Sequence, residues 1–294
     1  DWQGAAMHAE YFESIAKYDY ISFAKALDSK DGVLGISIVR LGVDNILNTT
    51  QMIDSEGNID YDKISKFSTS DYAGIISYAF RPGGNQKLSV GINAKIVYRN
   101  IGKFANGFGF GFDAGAIYRA DSGYQFGAML RDATTTVNFW SINQKELSAV
   151  VNGEEFNPAP KDKMEITMPK LNLGVSKNFE INRDLELLPE AGLNVDFAKT
   201  AAVISTDFAS ISPYLGAELS FQKMIFVRAG LNRFQTVTDI EDLKRKVSMQ
   251  PSAGIGIKYK GLTLDYAITN TGIGGSNYFS NFFSLKLDMR DFRY

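Results

Sequence analysis

The chain has 294 residues, with 31 basic against 33 acidic side chains and a formal charge of −2, a balance that excludes the basic excess of a nucleic-acid binder. It has no cysteine, so neither a disulfide framework nor a thiolate metal site is available. No stretch approaches the ~20 apolar residues of a membrane helix; the mean hydropathy of −0.13 would disqualify a helical membrane protein but not a β-barrel, where half of each strand faces a polar interior.

Period-2 alternation dominates and helical periodicity is nearly absent. It predicts fourteen strands, at 1–13, 15–27, 32–43, 71–81, 87–101, 107–120, 123–133, 164–179, 185–198, 211–222, 223–234, 250–260, 261–270 and 279–289. Several run past ten residues, longer than the ~5–6 usual in a soluble sheet and close to the ~9–11 that cross a bilayer. In "KLSVGINAKIVYR" one face carries Ile92 and Ile96, and the other carries Lys95 and Arg99. In "GFGFGFDAGAIYR" the rings of Phe108, Phe110 and Phe112 alternate strictly with glycine. In "LELLPEAGLNVDF" Leu193 and Val195 oppose Glu186 and Glu190, and in "QPSAGIGIKYK" Ile255 and Ile257 oppose glycine and Lys258. Apolar-out, polar-in alternation of this length predicts an all-β fold, a transmembrane antiparallel barrel of about fourteen strands spanning 1–294 as one domain. Lipid would face Phe108, Phe110, Phe112, Ile92, Ile96, Leu193, Val195, Ile255 and Ile257. The glycines would leave room inside for a plug, a neighbouring side chain or strand curvature. The final strand, "NFFSLKLDMRDF", places Phe283, Leu285 and Leu287 outward.

The connections alternate in length. Those after even-numbered strands are short ("DSKD", "RPGGNQ", a tight turn at Gln222–Lys223), and those after odd-numbered strands are mostly longer. Short periplasmic turns and long extracellular loops are the outer-membrane arrangement. The two longest, 44–70 and 134–163, carry Ile46, Leu47, Met52, Tyr61 and Phe67, and Phe139, Trp140 and Ile142. They are expected to be extracellular and to bind protein partners, because loops of this length are usually functional or disordered.

Signals for chemistry are sparse. There is no nucleophile elbow, phosphate loop or metalloprotease motif. His8 is the only histidine, so a zinc site built on several is excluded and a catalytic triad would have to use it. Lys95, Arg99, Asp113, Arg131, Glu186, Glu190 and Glu218 are predicted to face the lumen, where they would line a pore or pair across a filled interior. "DSEGNIDYD" gathers oxygen side chains at Asp54, Glu56, Asn58, Asp60 and Asp62, a candidate calcium loop, although its glycine is displaced from the EF-hand position. No cofactor and no enzymatic activity are expected.

"HAEYF", "VRLGVDNILNTTQMIDSEGNIDYDKISKFSTSDYAGIISYAF", "GINAKIVYRNIGKFANGFGFGFDAGAIYR" and "GAMLRDATTTVNFW" resemble the PorV/PorQ family of Bacteroidetes outer-membrane proteins. The resemblance covers most of 8–140 and is one of barrel patterning alone from 164 to 294. It implies a FadL-like fourteen-strand barrel in the cell outer membrane with a role in type IX protein secretion. The implied partners are outer-membrane lipid, a translocon or other envelope protein, and secreted cargo. Family members begin with a plug segment ending in an "NPAG"-like motif. This sequence starts at Asp1, beyond that point, and is expected to be a processed or truncated form. The competing readings are a FadL-like passage for hydrophobic solutes and an envelope enzyme acting on lipid A. A solute channel would need a continuous apolar track inside.

Overall fold

The structure, a computed structural model, describes residues 1–27, 32–54, 56–151, 154–156, 163–238, 244–272 and 278–292. The predicted turn at 28–31 lies outside the described residues. Fourteen strands build one wall: β1 (Trp2–Tyr11), β2 (Ala16–Ala26), β3 (Gly32–Asn48), β4 (Ser65–Phe80), β5 (Leu88–Ile101), β6 (Ala105–Arg119), β7 (Tyr124–Arg131), β8 (Lys170–Lys177), β9 (Leu185–Asp196), β10 (Ser210–Phe221), β11 (Ile225–Thr238), β12 (Arg245–Tyr259), β13 (Leu262–Asn270) and β14 (Phe279–Asp288). Each pairs antiparallel with its neighbours in sequence. β14 also pairs with β1, Leu285 opposite Ala6, so the sheet closes and leaves no edge in the wall.

The tight turns follow from local chemistry. Gln222 and Lys223 both adopt positive φ (51° and 54°), and the Met224 amide donates to the Phe221 carbonyl at 3.0 Å. This two-residue geometry matches the twist of the strands it joins.

Two predicted loops prove to be wall in part. β3 continues to Asn48 and β4 starts at Ser65, because a register shift between Val43 and Ile46, with Asn45 at φ 60°, lets the ladder resume above it. Ile46, Leu47 and Phe67 therefore lie in strands. β7 breaks after Arg131, where Asp132 (φ 53°) and Thr135 (φ 59°) turn the chain. It then resumes as Thr136–Ile142, hydrogen-bonded to the Ala105–Phe110 end of β6 and to Met164–Thr167. Phe139, Trp140 and Ile142 thus belong to an upper extension of the wall, not to a loop.

There is no soluble-type core. Among the described residues only Ala9, Ala16, Phe104 and Ala202 are buried apolar side chains, whereas dozens of large apolar ones are exposed. A water-soluble sandwich would hide these rows against a second layer.

Candidate functional site

Residues paired across antiparallel strands share a face, so the register assigns every side chain to one side of the wall. Phe108, Phe110 and Phe112 pair with Tyr98, Ile96 and Ala94, and this face continues through Gly74 and Ile76 to Ile38 and Ile36. Its large members are about half exposed, Phe108 52% and Ile96 56% among them. Ile92, Leu193, Ile255 and Ile257 are exposed, and Val195, two residues on from Leu193, is partly buried. This is the convex side.

The alternating glycines meet their neighbours on the other side. A Cβ on Gly109 would collide with Asn138 Oδ1 and lie 2.6 Å from the Val137 carbonyl oxygen. A Cβ on Gly107 would lie 3.1 Å from the Trp140 ring, and one on Gly111 would strike Thr136 Oγ1. The glycines make room for Thr136, Asn138 and Trp140 of the adjoining strand, whose side chains lie flat against the inner wall. Gly109→Ala should therefore destabilise the barrel by roughly 1–3 kcal/mol, the overpacking range. Gly127→Ala, where an added Cβ meets nothing within 4 Å, should be close to neutral. Urea unfolding of both variants in detergent checks the contrast, and equal midpoints would refute it.

The charged residues predicted for the lumen share this inner face, mostly in pairs. Lys95 Nζ lies 2.7 Å from Asp113 and 2.5 Å from Asp132. Asp113 also accepts the Asp132 backbone amide at 2.8 Å, and the Thr136 hydroxyl donates to Asp132 at 2.5 Å. This cluster clamps the break after β7. Arg99 bridges Asp71 and Glu165 at 3.1 and 2.9 Å, and the Trp140 indole donates to the same Glu165 at 2.9 Å. Arg99 also stacks 4.9 Å from the Trp140 ring centroid. Glu218 and Asp265 hold Arg228 at 2.6 and 2.5 Å. Glu186 pairs with Lys223 at 2.9 Å, and Glu190 bonds Tyr214.

Arg131 and Glu190, with Lys170, Asn194, Glu218 and Arg228, border a cavity of about 980 Å³ along β7–β12. The opposite inner wall differs. Tyr11, Tyr18 and Phe282 form an aromatic cluster, with ring centroids at 6.4 Å (Tyr11–Tyr18) and 5.3 Å (Tyr11–Phe282). Beside it the register places Tyr20 with Val39, and Tyr18 with Leu41, on the same face. The register pairs Tyr18 with Ala9 and Leu41, which sets these rings on the inner face. The lumen thus carries an apolar, aromatic patch beside its charged groups, an addition to the charge and glycine read from the sequence.

The calcium reading is also corrected. Asp54 spends its carboxylate on its own loop, accepting the amides of Glu56 and Asn58 at 2.9 Å each and Asn58 Nδ2 at 3.1 Å. Those bonds hold its carboxyl below the usual carboxylate range. Asp60 caps the Asp62 amide of a short 3₁₀ turn, and no metal-ligating cluster forms among the described residues. Met52 and Tyr61 remain in this hairpin tip, with Tyr61 fully outside the wall. His8 sits on the outer face, its Nδ1 2.7 Å from Asp19.

A closed antiparallel barrel with an exposed apolar belt and a polar interior is an outer-membrane β-barrel. Comparison with solved structures agrees on the fold. The chain is similar to the Ralstonia pickettii toluene transporter TbuX (TM-score 0.55, 12% identity), covering 97% of this chain and 88% of that one. It is similar to the monoaromatic hydrocarbon channel CymD (TM-score 0.52, 11% identity; 97% and 86%) and to a Pseudomonas aeruginosa FadL homologue (TM-score 0.50, 11% identity; 97% and 88%). No protein-family model and no curated protein matches the sequence. The fold is FadL-like.

Proposed function

We propose that the barrel is a non-enzymatic passage for hydrophobic solutes across the outer membrane. The observation that carries this reading is the group of apolar and aromatic side chains Tyr11, Tyr18, Leu41, Val39 and Phe282 on the inner face. Such a patch supplies the aromatic faces that a solute channel uses for weak, non-directional contacts. The fold shared with toluene transporters supports the same reading. The test is uptake of a labelled monoaromatic hydrocarbon by cells whose outer leaflet is lipopolysaccharide. Expression of the barrel should raise uptake, and Tyr18→Arg or Leu41→Arg, which place charge on the patch, should abolish the gain while the barrel remains heat-modifiable. Uptake equal to that of cells without the protein would overturn the proposal.

A second reading, protein binding at the rim as the PorV/PorQ resemblance implies, is favoured by one feature. The β3–β4 hairpin tip exposes Leu47, Ile53, Ile59 and Tyr61 together. Tyr61→Ala combined with Ile59→Ala should then remove co-purifying envelope proteins without altering solute uptake; unchanged co-purification would dismiss it.

A further inference from the structure

A second cavity, of about 500 Å³, lies on the inner face of β5–β8 beside the larger one. Glu190 and Tyr214 border both, so they stand between the two. Ile117 and Met129 give the smaller cavity apolar sides. Its depth comes from missing side chains: Gly91 pairs with Gly115, and Gly127 with Gly174. A Cβ on Gly127 would meet nothing within 4 Å, and one on Gly91 would first meet Ala79 and the Tyr78 carbonyl at 3.7 Å. Elsewhere on this wall such bare backbone carries a ring. Tyr214 covers Gly192, where an added Cβ would strike it, and Trp140 covers Gly107. The floor at Gly91 and Gly127 has the same form and no ring of the chain's own upon it.

Charge narrows what fits there. On the inner face Asp113, Asp132, Glu165, Asp196, Glu218 and Asp265 each pair with a lysine or arginine. Glu190 pairs with none among the described residues. It bonds the Tyr214 hydroxyl, and its Oε1 lies 3.6 Å from where a Cβ on Gly174 would stand, over the edge of the glycine floor. It is also the only charged side chain bordering the smaller cavity, whereas four cations and three carboxylates border the larger one. An apolar slot with one placed polar group takes a ligand that is apolar over most of its surface and complementary at one point. At Glu190 the complement is a cation, which the neighbouring Tyr214 ring also favours.

We infer that this cavity binds a flat aromatic ring bearing one ammonium group. The ring rests on the glycine floor between Ile117 and Met129, and the ammonium pairs with Glu190. A neutral ring leaves that carboxylate unpaired, and an anionic one is repelled by it. The inference rests on the reading of the lumen as a passage for small organic solutes and names a class of solute held within it.

The test is equilibrium dialysis of benzylamine, benzyl alcohol and benzoate against the purified barrel in neutral detergent at neutral pH, where the amine is a cation. Benzylamine should bind about tenfold more tightly than the alcohol, the increment of one charge-assisted hydrogen bond, and benzoate should bind more weakly than either. Glu190→Gln should bring the amine down to the affinity of the alcohol and leave the alcohol unchanged. Gly127→Leu, which covers the floor, should remove the binding of both in barrels that remain heat-modifiable. Equal affinities for the three probes on the parent protein would overturn the inference without recourse to any variant, as would amine binding that survives both substitutions. Dialysis reads binding apart from transport, so the two readings fail separately. Hydrocarbon uptake without amine binding would remove this site and keep the passage; amine binding without uptake would keep the site and remove the passage.

Discussion

Replacing Lys95 with methionine is expected to destabilise the barrel by about 3–5 kcal/mol, the cost of leaving a buried charge without its partner. Lys95 is nearly enclosed, with 12% of its side chain exposed, and it neutralises Asp113 and Asp132 together. Without it the two carboxylates face each other where water scarcely enters, and they are tied together by the Asp132 amide bond to Asp113. The damage should be local at first. The clamp holds the turn at Asp132–Thr135, and that turn carries the strand Thr136–Ile142 onto β6. Hydrogen exchange should therefore rise in 136–142 before the rest of the wall opens. Urea unfolding in detergent measures the total loss. The triple variant Lys95→Met, Asp113→Asn, Asp132→Asn should recover most of it, because it removes the repulsion and keeps hydrogen-bonding groups in place. A midpoint for Lys95→Met within error of the parent, or no recovery in the triple variant, would contradict this account.

The strand count and the barrel were legible because period-2 alternation and alternating connection lengths are both local properties of the sequence. The failures have physical causes of their own. The loop predicted from 134 hid a wall strand because "RDATTT" breaks the alternation. Asp132 and Thr135 take positive φ there, a backbone state that leaves no hydropathy signal. The β3 extension was hidden in the same way by the bulge at Asn45. On β1 neither face of "WQGAAMHAEY" is distinctly apolar, so the direction of His8 was set only by its register with Asp19 and, through Ala6↔Leu285, by closure against β14. The aromatic patch of the lumen is not legible by parity, because both faces of β2 and β3 carry apolar residues, and only the pairing of Ile21 with Ile38, exposed on the outer side, turns Tyr18, Tyr20, Val39 and Leu41 inward. Residues such as Lys95 and Arg99 were placed inside by simple parity on a strand whose other face is clearly apolar.

Ile255→Arg should cost about 2–4 kcal/mol, the range for a cation at the bilayer midplane on the lipid face of a membrane barrel. Ile255 lies midway along the part of β12 that pairs with β13, and its paired neighbours Val227 and Tyr266 share the outer face. It is half exposed, so the penalty cannot come from crowding a packed core. It comes from placing a guanidinium among acyl chains with no acid within reach on that face. Ser252→Arg supplies the comparison. Ser252 lies three residues away on the opposite side, where it lines the lumenal cavity beside Glu218. An added cation there has water and carboxylates around it and should change stability by well under 1 kcal/mol, altering instead what the lumen admits. Folding free energies of both variants, measured by urea titration into phospholipid vesicles, separate the two sides of one strand. If Ile255→Arg were as mild as Ser252→Arg, the convex face of β12 would not be in lipid, and the outward assignment of Ile257, Leu193 and the phenylalanine row of β6 would fall with it.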